Sequence, residues 1–182
     1  MNGGSLSDLY FQTFYVSKEK SNCPLIADAL RIGKRIKEKG ISDIIISQRY
    51  GKRILINTLG EDEEESRDNF LEIVDYDPIK KIVLAMGVKK PRIETSLHWF
   101  IHHARDEINA VVQINDQDAA KKFKNLTETK NECVIGTIEQ IKEVMKGLRN
   151  NNKIIIKNQG TIFVGRSIKE VEKQIMESIK LR

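Results

Sequence analysis

Two groups of side chains in this sequence have the type and spacing to do chemistry. Glu94, His98 and His102 recur every fourth residue, so on a helix they form one polar stripe beside the apolar stripe of Ile93, Leu97, Phe100, Ile101 and Ala104. Gln113 and Asn115 follow the β-branched run Ala110-Val111-Val112, and strand alternation sends both amides to the same face. A Glu-His-His stripe has metal-ligand spacing, yet the same spacing arises on any polar helix face, and no fourth ligand lies nearby in sequence. Its bland alternative is a hydrogen-bonded histidine beneath a sheet. Neutral amides bind divalent metals poorly but can donate to and accept from a polar ligand, or simply knit strand ends together. Ligands of open α/β sheets collect beyond the carboxyl ends of strands, which is where Gln113 and Asn115 fall.

The elements that must position these groups are legible in order. Asn22 is placed to cap a helix with Pro24 just inside it, its apolar face Leu25, Ala29, Ile32 and Ile36, and Gly40 its stop. Strands are expected over 41–47 and 53–57 about a turn at Tyr50-Gly51-Lys52, then over 70–76 and 81–86 about Asp77-Pro78. The polar stripe lies on a helix over 93–105. Asp116 is placed to cap a short helix through Phe123, and Cys133–Ile135 reads as a strand. Thr137-x-x-Gln140 and Ser167-x-x-Glu170 are capping boxes that open helices over 138–148 and from 168 onward. Strands over 153–157 and 161–164 flank Asn-Gln-Gly.

The segment K-K-P-R-I-E-T-S-L-H-W-F-I-H-H-A-R-D-E-I-N-A-V-V-Q-I-N-D resembles the central motif of the class II aldolase/adducin family. Pro91, Glu94, His98, Arg105, Ala110, Val111 and Val112 fall in register with it. A second block, residues 154–171, resembles the family's Asn-His-Gly strand pair and closing helix, and a weaker one runs from the helix ending at Gly40 to Gly60. The resemblance spans roughly residues 22 to 182 and implies an α/β fold with a mixed central β-sheet and helices on both faces. It implies a homotetramer with a site near a subunit boundary. Enzymes of that family bind a divalent metal through three histidines, with the Glu as a further ligand or catalytic acid/base. Those histidine positions are Gln113, Asn115 and Gln159 here, so no metal and no other cofactor is expected. The family's phosphate-binding turns are eroded as well: only Ser47 aligns with one, Asn57–Gly60 stands for another, and Arg92 replaces a hydroxyl.

Two functions follow from the resemblance and its departures. The first is a non-catalytic relative, as adducin head domains are, acting in assembly or as a ligand-binding module. The alternative is a diverged, metal-independent lyase, epimerase or isomerase. It would act on a small sugar-phosphate or hydroxy-carbonyl substrate, with Glu94 as acid/base and Gln113, Asn115 and Gln159 holding the substrate. Replacing a divalent ion by amides removes several kcal/mol of enediolate stabilisation, by rough estimate, which favours the first.

Composition bounds the rest. A chain of 182 residues, 40% hydrophobic, is long enough for one domain with a real core, here assigned to 21–182 after an N-terminal arm over 1–20. Gly3, Gly4 and Ser5 are flexible, whereas Leu9, Tyr10, Phe11, Phe14, Tyr15 and Val16 need somewhere to pack, with the chain's own core favoured. Leu9–Gln12 also echoes part of a common protease tag site. The acidic run Glu61–Asp68 reads as a solvated loop, with a lid as the minority reading. No apolar run spans a membrane, and no secretory leader is evident. Cys23 and Cys133 have no metal or redox spacing, which fits a reduced, cytoplasmic chain. The net charge of +5, from 31 basic and 26 acidic residues, is spread along helices, so nucleic acid is not an expected partner.

Overall fold

The apolar run Ala110–Val112 does become the inner strand that its composition implies. In a computed structural model of the chain, residues 10–58 and 66–179 are described, Ala119 and Ala120 by backbone alone. The strands are β1 (Gln12–Ser17), β2 (Ile44–Tyr50), β3 (Arg53–Asn57), β4 (Phe70–Asp77), β5 (Ile82–Met86), β6 (Ala110–Ile114), β7 (Thr127–Glu128), β8 (Lys153–Ile156) and β9 (Gly160–Gly165). They form one mixed sheet in the order β1-β5-β4-β3-β2-β6-β9-β8-β7. Only the outermost pairs, β1 with β5 and β7 with β8, are parallel.

Alternation along β6 divides the core. Ala110, Val112 and Ile114 pack with Ile26, Ala29 and Ile32 of α1 (Ile26–Lys37) and with Val171 and Ile175 of α5 (Ile168–Ser178). Val111 faces the other side, against Leu97 and Ile101 of α2 (Thr95–Ala104) and Val144 and Leu148 of α4 (Ile138–Leu148). A third cluster, with Ile45, Ile54, Leu71 and Val83, extends that second side toward Phe11 and Trp99. The result is the expected α/β architecture, a mixed central sheet with helices on both faces.

Local signals succeed or fail for identifiable reasons. Thr137 accepts from the Gln140 backbone N–H and Ser167 from that of Glu170, so both predicted caps form. Asn22 does not cap α1: the helix begins one turn later, at Ile26, with Leu25 before it and no side-chain cap. Asp116 likewise turns its carboxylate to the Asp118 N–H, and the short α3 (Ala119–Lys122) starts beyond it. Cys133–Ile135 is irregular, and the nearby strand is β7 instead. Ala104 is exposed, outside the apolar stripe assigned to it. Of the acidic run, Ser66–Asp68 enter a single 3-10 turn capped by Ser66, whereas 61–65, Gly60 and Gly3–Leu9 lie outside the described residues.

Candidate functional site

Register places the polar groups. Ser47 on β2 lies opposite Val111 on β6, and Ile45 opposite Gln113, so Ser47 and Gln113 point to the same side, toward α2. Residues four apart on a helix stack on one face. His98 and His102 therefore straddle Ser47, whose Oγ lies 2.7 Å from His98 Nδ1 and 2.9 Å from His102 Nε2. Both rings are wholly buried, and burial pushes His98 down to about 4 and His102 down to about 3. The Glu94 carboxylate opposes that shift at His98, while the His98 ring, Arg49 and His103 add to it at His102. His102 Nδ1 lies 3.3 Å from the Ile108 carbonyl, and Arg49 donates to that same carbonyl at 3.0 Å.

Beyond His98 the chain of contacts runs outward. His98 Nε2 is 3.2 Å from Gln113 Oε1, Gln113 Nε2 donates to Asn115 Oδ1 at 2.7 Å, and Asn115 Nδ2 donates to Glu94 Oε1 at 2.5 Å. Gln113 is buried, Asn115 half-buried, and Glu94 only 4% exposed. Arg92 neutralises Glu94, with Nε donating to Oε2 at 3.2 Å, and its Nη2 also donates to Asp43 at 2.8 Å. Burial holds the Asp43 carboxyl above its ordinary value against the pull of the Arg92 charge. Asp43 itself takes a left-handed φ of 46°, just before β2.

Gln159 belongs to a different set of bonds. Its Oε1 accepts from Gln140 Nε2 at 2.6 Å, its Nε2 donates to the Cys133 carbonyl, and Gln140 Oε1 accepts from the Gly136 N–H at 2.8 Å. Its amide thus bonds away from Gln113 and Asn115, but it lines the same cleft as Glu94 and Asn115, about 700 Å³ in volume. Lys90, Arg92, Asp43 and Glu94 also line that cleft, two charges of each sign, while Tyr10, Ile93, Val134 and Ile135 give it an apolar wall. Gln113 lies behind the lining, reaching it through Asn115.

A family model described as the class II aldolase and adducin N-terminal domain matches residues 28–120, the half of the chain that contains β2–β6 and α2. The chain belongs to this class II aldolase and adducin family. Its sheet and helices match those of a solved L-fuculose 1-phosphate aldolase at a TM-score of 0.69 and 14% identity, covering 87% of this chain and 82% of that one. A sugar-phosphate aldolase from Thermotoga maritima gives 0.64 at 14% identity over 84% and 89%. L-fuculose-1-phosphate aldolase from Thermus thermophilus gives 0.57 at 18% identity over 85% of each chain. At such identities the likeness is one of fold. A search of curated proteins returns no significant sequence match.

The family's divalent metal does not fit the groups present here. Gln113 turns its oxygen to His98 and its nitrogen to Asn115, and Gln159 is committed to Gln140 and Cys133. The remaining carboxylate, Glu94, is charge-paired with Arg92. Among the described residues no cluster of three His, Cys, Asp or Glu side chains has a metal-holding arrangement. The Glu94-His98-His102 stripe is real as a helix face, but its histidines clasp Ser47. Asp43 and Arg49 enter the site without a sequence signal of their own, whereas the sequence marks Ser47 and Gln140 only by resemblance to a phosphate-binding turn and as part of a helix cap, not as partners of the histidines or of Gln159.

Proposed function

We propose that this chain is a non-catalytic class II aldolase relative that binds a small uncharged polyhydroxy or hydroxy-carbonyl molecule in the cleft beside Glu94. The observation that carries the reading is the commitment of the three amides and Glu94. Each is hydrogen-bonded to protein neighbours, and the sole carboxylate of the set is neutralised by Arg92. Concentrated positive charge is what an enediolate needs, and here the guanidinium already faces two carboxylates. The same balance of two cations and two anions in the cleft favours a ligand without net charge. Amides supply paired donors and acceptors for hydroxyls, and the wall of Tyr10, Ile93, Val134 and Ile135 suits the C–H face of a sugar ring. In this reading Asn115 and Gln159 contact the ligand, Glu94 accepts from it, and Gln113 holds Asn115 in place. The proposal includes a homotetramer and a reducing, cytoplasmic setting, the latter in keeping with free Cys23 and Cys133.

The test is calorimetry with matched pairs of neutral sugars and their phosphate esters, alongside a proton-exchange assay in D2O with and without added zinc or manganese. Saturable binding of a neutral sugar, weakened by Asn115→Leu and Gln159→Leu and without carbon–hydrogen exchange, is expected. Exchange or carbon–carbon cleavage that disappears in Glu94→Gln overturns the non-catalytic reading and restores Glu94 as an acid/base. Preference for the phosphate esters overturns the ligand class.

A further inference from the structure

Six contacts run in series through the buried site: Ile108 O to His102, His102 to Ser47, Ser47 to His98, His98 to Gln113, Gln113 to Asn115, and Asn115 to Glu94. Each contact needs one proton between its two heavy atoms. Both ends, a peptide carbonyl and a carboxylate, are acceptors. The five side chains between them each supply one proton along the series: one per neutral imidazole, one from the hydroxyl and one from each amide. The series is therefore one proton short whenever both histidines are neutral, and burial keeps them neutral.

The geometry also says where the gap falls. Asn115 must present Nδ2 to Glu94, because an amide oxygen at 2.5 Å from a carboxylate oxygen is repulsive. Its Oδ1 then accepts from Gln113, whose Oε1 is left facing His98 Nε2. That ring nitrogen must carry the proton, so His98 Nδ1 accepts from Ser47 and Ser47 accepts from His102 Nε2–H. The missing proton is at His102 Nδ1, opposite the Ile108 carbonyl. This contact is the longest of the six, at 3.3 Å, and Arg49 already serves that carbonyl at 3.0 Å.

We infer that Ser47, His98, His102 and Gln113 are positioning residues that form, with Asn115 and Glu94, one polarised hydrogen-bond relay, its direction set by the Glu94 charge and its open end at His102. In the resting protein both buried rings are Nε2–H tautomers. A proton or donor placed on Glu94 reverses the relay: Asn115 and Gln113 turn over, both rings become Nδ1–H, and the His102 contact to Ile108 fills. The charged and titratable groups facing the relay are Glu94, Arg92 and His103 from α2 and the turn before it, Arg49 from β2, and Asp43, which meets it both through Arg92 and directly at the Asn115 side chain. The relay turns an event in the cleft into a change in the core: a proton or strong donor delivered to Glu94 is registered at His102. This inference rests on the contacts and on the burial of the two rings, and stands whether or not a sugar binds.

Nitrogen-15 chemical shifts of the imidazoles in the full chain read the tautomers directly, at neutral pH. The wild type is expected to show protonated Nε2 and bare Nδ1 at both His98 and His102. Glu94→Gln, whose amide can donate to Asn115, is expected to invert both. Ser47→Ala cuts the series, leaving His98 as Nε2–H but releasing His102 to the Nδ1–H form. A wild-type His98 carrying its proton on Nδ1 overturns the inference. So does a folded Glu94→Gln with unchanged tautomers. Should Glu94→Gln fail to fold, Ser47→Ala decides: the His102 change alone supports the relay, and no change overturns it.

Discussion

The guanidinium of Arg92 lies against the carboxylate of Glu94, Nε to Oε2 at 3.2 Å, with side-chain exposures of 17% and 4%. A second carboxylate, the half-buried Asp43, shares it at 2.8 Å. Arg92→Ala leaves both carboxylates facing each other without a counter-charge, and is expected to cost roughly 3 kcal/mol or more. Asp43→Asn in the Arg92→Ala background should recover part of the loss. Urea denaturation of the single and double variants measures it, and a strictly additive pair would contradict a shared ion cluster.

The buried histidines predict an acid limb of stability. In the unfolded chain both take up protons near ~6.5, whereas the native rings do so only near about 4 and about 3. Between those values the unfolded state holds more protons, so stability falls as pH drops below about 6.5, by up to ~1.4 kcal/mol per pH unit for each ring. Above neutrality this source contributes no slope. Asp43, with its carboxyl held above the ordinary value, works in the opposite sense, gaining its proton more readily in the native state. Denaturation midpoints from pH 4.5 to 7.5 should show the limb, and His102→Gln should flatten it by about half. An unchanged slope in that variant would remove His102 from the account.

Gly160 opens β9 where the backbone of β6 passes closest. A Cβ there would sit 1.8 Å from the Ile114 carbonyl oxygen and 3.1 Å from Asn115 Cα. Neither is a flexible side chain that can move aside. Gly160→Ala is expected to destabilise by more than about 4 kcal/mol, the range reserved for such overlaps, and to shift the amide resonances of Asn115. A variant of near-native stability would mean that this strand pair is looser than its register.

Zinc, manganese or cobalt should show no stoichiometric uptake, because the amides at the family's ligand positions are neutral and engaged. Calorimetry on the purified chain tests this. A tight 1:1 isotherm abolished by Gln113→Ala would overturn it, while one abolished only by His98→Ala and His102→Ala would move the metal to the helix stripe.

Phe14 and Val16 are 53% and 62% exposed on β1, at one edge of the sheet. Sedimentation at micromolar concentration should show a species well above 20.9 kDa. Phe14→Ser with Val16→Ser should shift it toward the monomer. A wild type that stays monomeric at high concentration would remove the tetramer from the proposed function.

The sequence carried the inner strands and the long helices because each is amphipathic or wholly apolar over its length. Arg53–Asn57 and Ile138–Leu148 match their predicted bounds residue for residue. Strand β1 escaped because its apolar side chains Phe14 and Val16 face outward, so alternation there carries no burial signal. Strand β7 is two residues long and polar, below what any periodicity can register. In the site, the shared face of Gln113 and Asn115 was readable from alternation, and Glu94 from helical spacing. The partners of His98 and His102 were not: a helix stripe tells which residues share a face, and only the β2–β6 register decides that a serine lies opposite. Gln159 was placed with the other amides by resemblance, but its side chain follows Gln140, delivered by a helix that strand patterns cannot locate.

Strand β6 receives its two neighbours at opposite ends of synthesis. β2 is made before it and can pair at once, but β9 is made only after α4 and β8, and the Val171 and Ile175 that cover it come later still. A nascent chain that has completed β6 but not β9 therefore holds a strand destined for full burial with one ladder of N–H and C=O groups open. Such an edge invites pairing with another chain. Ribosome-bound chains in which β6 has left the exit tunnel while β9 and α5 have not should be the most aggregation-prone and protease-sensitive, with protection arriving once β9 and α5 have emerged. Docking of β9 and α5 closes the middle of the sheet, and its rate sets how long that edge of β6 stays open.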